Sequence, residues 1–531
     1  MTLTLVTTLV ALLAIAGIVS FVARRIGVPY PVLLVVVGLI LALIPHLPPL
    51  RIDSDLILFV FLPPLVYRGA FHAPIRELIA TRRAILIFAI PGVLVTGLLV
   101  ALPVHYLAGL SWGAAFVLGA IVAPTDPIAA LAIFRTLGAP PRLAAIVEGE
   151  SLLNDGTGLV LYRIVIAAVV SGGFSLSHAI LDFVLVAGGG VVVGLVIGWL
   201  AFLLLRIIHD PEAEATLHIA IAFGSYILAE RLEVSGVLAT VTAGVILGSR
   251  FVQYSRATTR LVGIASWDVL EFVANSLLFL IVGLQLRAIL GMLADTAPIQ
   301  IAGIAAVTVL AVVAARFAMT FGANALVRSA GRVRILRTAP LSSPWITVLA
   351  MSGLRGGLTL ALTLALPLTT DAGAPFPRRD LLQFLTFVIV VVTLVPFSLV
   401  LPVLMRRLRL TGDRQQASEE ATARRHAAQA ARDALARIDD GDLDAESRQR
   451  LDAYYDVQIH HYDDLLAREG RVSIESDRWR AIQLRLLDAE RDAVVELVRT
   501  RQISTAAAEQ VQRSIDLDAV RLMADGGETR M

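Results

Sequence analysis

Residues 121–163 read IVAPTDPIAALAIFRTLGAPPRLAAIVEGESLLNDGTGLVLYR, which sets Asp126, Glu150 and Asp155 inside sequence otherwise apolar enough for a lipid core. A carboxylate at bilayer depth costs about 2.5–3.5 kcal/mol on insertion scales, so it normally faces a protein interior or a water-filled path. These acids point to a site that handles protons, cations or both.

In the second part of the stretch, Ser151 and Asp155 are four residues apart and share a helix face, with Glu150 and Asn154 on the adjoining one. For a span starting near Ala144, Asp155 lies roughly 16 Å deep, close to the midplane of a core about 30 Å thick. A fixed salt bridge is the structural alternative for any one such acid. The first part, Ala123-Pro124-Thr125-Asp126-Pro127, brackets a Thr-Asp pair with prolines. Proline removes a backbone donor and clashes with the preceding turn, so the helix is expected to break here. Freed carbonyls and the Thr125 and Asp126 side chains then offer oxygen ligands to a hard monovalent cation. Irregular backbone at this depth is tolerated only where it lines a cavity or is buried in protein. A plain proline kink is the alternative, and it leaves Asp126 unexplained.

A second interruption is expected at Met351-Ser352-Gly353-Leu354-Arg355-Gly356-Gly357, where three glycines surround a buried arginine. Arg355 would compensate helix C-terminal dipoles or pair with a carboxylate, and Arg316, one span earlier, is a second buried cation with a similar structural role.

The surroundings agree with a membrane setting. The chain has 531 residues, is 57% hydrophobic and has a mean hydropathy of +0.78, which indicates an all-α polytopic membrane protein. About thirteen spans start near residues 3, 28, 55, 84, 111, 143, 178, 213, 235, 267, 299, 344 and 382. With the seventh as a connector, the fifth and twelfth spans occupy matching positions in two six-span halves. Paired interruptions of this kind are the sequence pointer to an inverted-repeat transporter site. Arginines concentrate in the odd-numbered connections, among them Arg24, Arg25, Arg76, Arg82, Arg83, Arg135, Arg142, Arg206, Arg250, Arg256, Arg334 and Arg337. The even-numbered ones carry few, mainly Arg51, Arg231, Arg287, Arg378 and Arg379. That asymmetry puts the N-terminus outside and the C-terminal segment in the cytoplasm. The first segment, Leu3 to Val22, lacks a basic N-terminal flank and reads as a retained span.

From about residue 411 the composition turns to Ala, Arg, Glu and Asp. Apolar residues such as Leu451, Tyr454, Tyr455, Leu484, Leu487, Val494 and Leu497 recur there at helical spacing, with Gly441 and Gly470 expected at helix ends. Residues 413–531 hold 25 acids and 18 arginines, whereas the whole chain has a net charge of +2. The expected division is thus a transmembrane domain over residues 1–410 and a helical cytoplasmic domain over 411–531. All 45 basic residues are arginine and cysteine is absent, which excludes disulfides and thiolate metal sites. The basic balance reflects membrane-flanking arginines and gives no reason to expect a nucleic-acid partner.

At these residues the sequence resembles the monovalent cation:proton antiporters, in particular the NhaP- and NHE-like branch of sodium/proton exchangers. The resemblance rests on FLPPLV at 61–66, APTDP at 123–127, EGESLLNDG at 148–156, Arg316 and GLRGG at 353–357, and covers about residues 1–410. FVANSLLFLIVGLQL at 272–286 and the helical tail look most like the bacterial subgroup. It implies thirteen helices in two inverted repeats, with two crossed broken helices in a six-helix core, and a homodimer in the bacterial cytoplasmic membrane. Carried over to this sequence, Asp155 binds cation or proton. Ser151, Asp126 and Thr125 help to hold Na⁺. Asn154 and Glu150 form a supporting polar pair, and Arg355, Arg316, Gly353, Gly356 and Gly357 build the core around them.

The implied activity is exchange of Na⁺ or Li⁺ for H⁺ by alternating access, for cation and pH homeostasis. K⁺/H⁺ exchange on the same fold and a cation channel are the alternatives. With Asn154 rather than an acid beside Asp155, one proton per cation and electroneutral transport are expected. An enzyme is not expected, since HExxH and GxSxG motifs are absent, and no cofactor is implied beyond the transported ions. Two departures stand out: Tyr67-Arg68 where many relatives have an acid after FLPP, and Asn275 where animal-type exchangers carry one.

Overall fold

The computed structural model describes residues 2–44, 57–208, 210–284, 297–332, 341–410, 414–438, 444–467, 474–500, 502–503 and 505–524. Arg51, Arg287, Arg334 and Arg337, which enter the orientation argument, and the expected helix ends Gly441 and Gly470 lie outside them. The chain divides into two compact units, one of residues 1–135 and 141–410, the other of 136–140 and 411–531.

Each of the thirteen expected spans has a helical counterpart. They begin with α1 (Thr2–Ile26), α2 (Tyr30–Ala42) and α3 (Leu62–His72), the last preceded by one π turn at Ile57–Phe61. The fourth span is α4 (Ile75–Ala89) and α5 (Pro91–Tyr106), jointed at Ile90 before Pro91. The fifth is broken into α6 (Trp112–Val122) and α7 (Ile128–Leu137). Then come α8 (Pro141–Ser171), α9 (Leu176–Leu205), α10 (Pro211–Arg231), α11 (Gly236–Tyr254), α12 (Ala257–Leu284) and α13 (Pro298–Arg332). The twelfth is again broken, into α14 (Ser343–Met351) and α15 (Gly357–Leu364), and α16 (Arg379–Arg407) is the thirteenth. Seven helical segments among the described residues are long and apolar enough to cross a membrane by length and composition.

One boundary departs from expectation. The fourth span begins at Ile75, not near residue 84, so Glu77, Arg82 and Arg83 belong to the helix rather than to a loop. Hydropathy marks where lipid begins, not where the helix does. Arginine stems can run along apolar surface while their heads stay wet.

Local chemistry accounts for the helix ends. Asp210 caps α10 by accepting from Ala213 N at 2.7 Å, ahead of Pro211 in the first turn, and Ser235 caps α11 by accepting from Leu238 N at 3.3 Å. Two groups of helices result within this unit. α2 and α3 pack on α12 and α11, and α10 joins them; α4 packs on α8, α5 on α6 and α13, and α14 and α15 on α16. The first group forms a scaffold, and the second forms a core that holds both breaks.

The second unit consists of α17 (Arg414–Leu435), α18 (Ala445–Ala467), α19 (Ile474–Arg499) and α20 (Thr505–Ala524). Arg432 ties α17 to α18 through Asp452 at 2.7 Å and Asp456 at 2.9 Å, and that guanidinium holds the Asp452 carboxyl below its usual range. Val494, Ala508 and Ile515 form the apolar seam between α19 and α20, with Leu487 against it. Leu451, Tyr454 and Leu497, also expected on apolar faces, remain exposed.

Candidate functional site

Both sequence interruptions are breaks, and they touch each other. Asp126 N donates to Leu354 O at 2.8 Å, joining the unwound segment after α6 to the one after α14. Four helix ends therefore converge. The ends of α6 and α14 present carbonyls, and the starts of α7 and α15 present amide N–H groups.

One charged side chain serves each kind of end. Arg355, 1% exposed, donates from Nε to Val122 O at 2.8 Å and from Nη1 to Gly353 O, so it satisfies carbonyls at both C-terminal ends. Asp126 does the converse. Its Oδ1 accepts from Ile128 N at 3.0 Å and its Oδ2 from Gly357 N at 3.3 Å, which engages both N-terminal ends. Each Asp126 oxygen thus accepts one backbone N–H and keeps a second lone pair.

The glycines allow this approach. A Cβ on Gly356 would lie 1.8 Å from Asp126 Oδ2, and one on Gly353 would lie 2.3 Å from Arg316 Nε. Gly357 supplies its N–H to Asp126 and packs against Leu278. Gly356→Ala must therefore push the breaks apart. Overpacking of this kind typically costs about 1–3 kcal/mol, and we expect a lower melting temperature in detergent together with loss of transport.

α8 lies against the crossing and carries the remaining polar groups. Ser151 Oγ donates to Thr125 O at 2.8 Å, and Asn154 Nδ2 donates to Thr125 Oγ1 at 2.8 Å. The unwound segment is thus pinned to α8 by two side chains from one turn. Glu150, 2% exposed, pairs with Arg316 of α13 through Nη1 and, at 3.2 Å, Nη2, which also donates to Leu349 O at 3.0 Å. Asn154 and Glu150, one turn apart on α8, reach different partners, Asn154 bonding Thr125 and Glu150 bonding Arg316.

Asp155 is different. Among the described residues no hydrogen bond or ion pair reaches its carboxylate, which lines a cavity of about 390 Å³. Thr125, Asp126, Ser151 and Gly356 share its inner wall. Tyr30, Arg68, Glu271 and the fully buried Asn275 come from the scaffold, and Glu148 and Arg135 from the core. The cavity reaches Arg24 and Arg135, which the sequence places at the arginine-rich ends of the spans. Glu148 is seven residues before Asp155 on α8, about 10 Å along the axis.

Sequence reading missed Tyr30, Glu148 and Glu271. Tyr30 follows a proline at a helix start, and the two acids lie near span ends where a solvated carboxylate is ordinary. The signal available for Glu271 was Arg68, a cation left in an apolar helix without a partner in its own sequence neighbourhood.

Comparison with known proteins agrees with this architecture. The profile described as sodium/hydrogen exchanger, transmembrane, matches residues 9–407. A Mycobacterium tuberculosis protein named as an uncharacterized Na⁺/H⁺ exchanger is 32% identical over 530 residues, covering 97% of this chain and 96% of its own length. The Na⁺/H⁺ antiporter NhaS2 of a Synechocystis species is 32% identical over 408 residues, covering 77% and 71%. The sodium proton antiporter MjNhaP1 of Methanocaldococcus jannaschii shares the fold, with a TM-score of 0.60 at 21% identity, covering 77% of this chain and 99% of that one. The chain belongs to the sodium/hydrogen exchanger family.

Proposed function

We propose that this protein is an antiporter exchanging Na⁺ or Li⁺ for H⁺ through one site centred on Asp155. The observation that carries this reading is the contrast among the three acids of the opening stretch. Asp126 is held by two helix N-termini and Glu150 by Arg316, while Asp155 faces the cavity unengaged. The negative charge of Asp155 is left for an ion. Ser151 and Thr125 keep lone pairs beside it, and Asp126 adds fixed negative charge at the crossing. Na⁺ favours ionised Asp155 and H⁺ neutralises it, so each displaces the other.

Alternating access then carries either ion across. The arginine pattern supports a transmembrane domain of residues 1–410 with its N-terminus outside, and a cytoplasmic helical domain of 411–531. On that orientation the cavity opens inward. On the other side of Asp155, Arg163 of α8 pairs with Glu230 of α10, and Glu230 Oε1 accepts from Gly236 N at 3.2 Å. This contact joins the core to the scaffold and closes the outer side. An ion pair of this exposure is worth up to about 1 kcal/mol, or roughly fivefold in a two-state balance. Glu230→Gln should raise labelling of a Phe59→Cys reporter by an impermeant thiol reagent applied outside several-fold. The Phe59 ring packs edge-on against Tyr226 at 5.6 Å, and the cysteine-free chain gives no background. Unchanged labelling would argue against a latch.

Asn154 supports one-for-one, electroneutral exchange, since Asp155 is then the single acid left to cycle. The decisive assay is Na⁺-, Li⁺- or K⁺-driven proton movement in proteoliposomes with voltage imposed. Saturable Na⁺- or Li⁺-driven flux indifferent to voltage is expected. Flux driven by K⁺ alone would reassign the cation, and uncoupled conductance would make the protein a channel.

A further inference from the structure

Three arginines (Arg24, Arg68 and Arg135) and three carboxylates (Glu148, Asp268 and Glu271) line the cavity together with Asp155 and Asp126. Arg68 stands among them as a fixed cation. Its Nη2 lies 2.5 Å from Asp268 Oδ1 and its Nε 2.7 Å from Glu271 Oε2. The Arg68 side chain is 12% exposed and that of Glu271 24%, against 53% for Asp268. The contact to Asp268 is the shorter, but Glu271 is the more enclosed of the two partners, and both line the cavity. Glu271 also sits one helical turn from Asn275 on the α12 face that lines the same wall.

We infer that Arg68 is a specificity-determining residue: it holds Glu271 out of the transported cation's surroundings and so lowers the site's affinity for Na⁺. The inference rests on the exchange reading above and names what sets its cation affinity. A guanidinium stays charged at every working pH, so it neutralises Glu271 permanently, unlike a group that releases its proton when a cation arrives. Freeing that carboxylate would change the cavity mouth from balanced to net negative. A cleft of one charge sign concentrates counter-ions, and an added carboxylate raises the charge available to bind a hard cation. Arg68 keeps binding loose, which suits a carrier that must release its cation on every cycle.

The test is a double-mutant cycle on full-length protein in proteoliposomes, with Arg68→Gln, Glu271→Gln, the double variant and Arg68→Lys. Arg68→Gln should lower the apparent KM for Na⁺ roughly three- to tenfold, the size of coupling seen between residues in one charge network, without raising the maximal rate. In the Glu271→Gln background, where only the more exposed Asp268 is left to be freed, the same substitution should lower KM far less, and Arg68→Lys should stay near wild type. A merely structural Arg68 would instead reduce maximal rate and thermal stability with no fall in KM. Thermal melts of the purified variants titrated with NaCl against choline chloride give a readout independent of transport, and the half-saturating NaCl should fall in parallel. A wild type that binds Na⁺ with this pattern but moves no protons overturns the exchange reading and keeps the inference. Exchange with KM unmoved by Arg68→Gln, or lowered equally when Glu271 is already neutral, overturns the inference and keeps exchange.

Discussion

Asp155→Asn is expected to reduce Na⁺-driven proton movement to the background of empty liposomes while leaving a folded protein. Asparagine matches aspartate in size, and no described hydrogen bond depends on the Asp155 carboxylate, so packing around α8 has no reason to change. Titration is what is lost. A neutral amide cannot release a proton to accept a cation, so neither half of the cycle proceeds. The melting temperature should stay level or rise, since an unpaired carboxylate deep in a largely protein-lined cavity costs solvation free energy. Its sensitivity to NaCl should vanish. Flux measured beside melts separates this from misfolding, and substantial exchange by the variant would remove Asp155 from the centre of the account.

Arg316→Met is expected to have the largest effect on stability. Arg316 and Glu150 are 4% and 2% exposed, and the guanidinium also holds Leu349 O near the end of α14. Removing one partner strands a buried charge, at a cost of about 3–5 kcal/mol. The damage should be repaired in large part by the second substitution Glu150→Gln, which removes the stranded charge. Melting temperatures of the two singles and the double measure this directly. If Arg316→Met melts like wild type, the pair does not hold the core together.

These two residues also show what the sequence makes legible. Proline and glycine interruptions announce themselves locally, so both breaks and their matching places in the two halves are readable from Pro124, Pro127 and the glycines near Arg355. Helical spacing likewise puts Ser151 and Asp155 on one face. Spacing names a face but not the neighbour across from it. Glu150 finds Arg316 across 166 residues and Asp126 finds Gly357 across 231, and no local pattern encodes either meeting. Asp126 accordingly is read in sequence as a cation ligand, and only the fold adds that it also caps two helix starts. Arg68 looks like a misplaced charge until α12 brings Asp268 and Glu271 beside it.

The central claim is that Na⁺ and H⁺ take turns at Asp155, and it is tested most directly by the apparent KM for Na⁺ measured at a series of pH values in proteoliposomes. Competition for one site predicts that KM rises as pH falls, approaching tenfold per pH unit on the acid side, while the rate at saturating Na⁺ holds steady. A KM that stays constant while only the maximal rate changes with pH would contradict it, because proton and cation would then be acting at separate places.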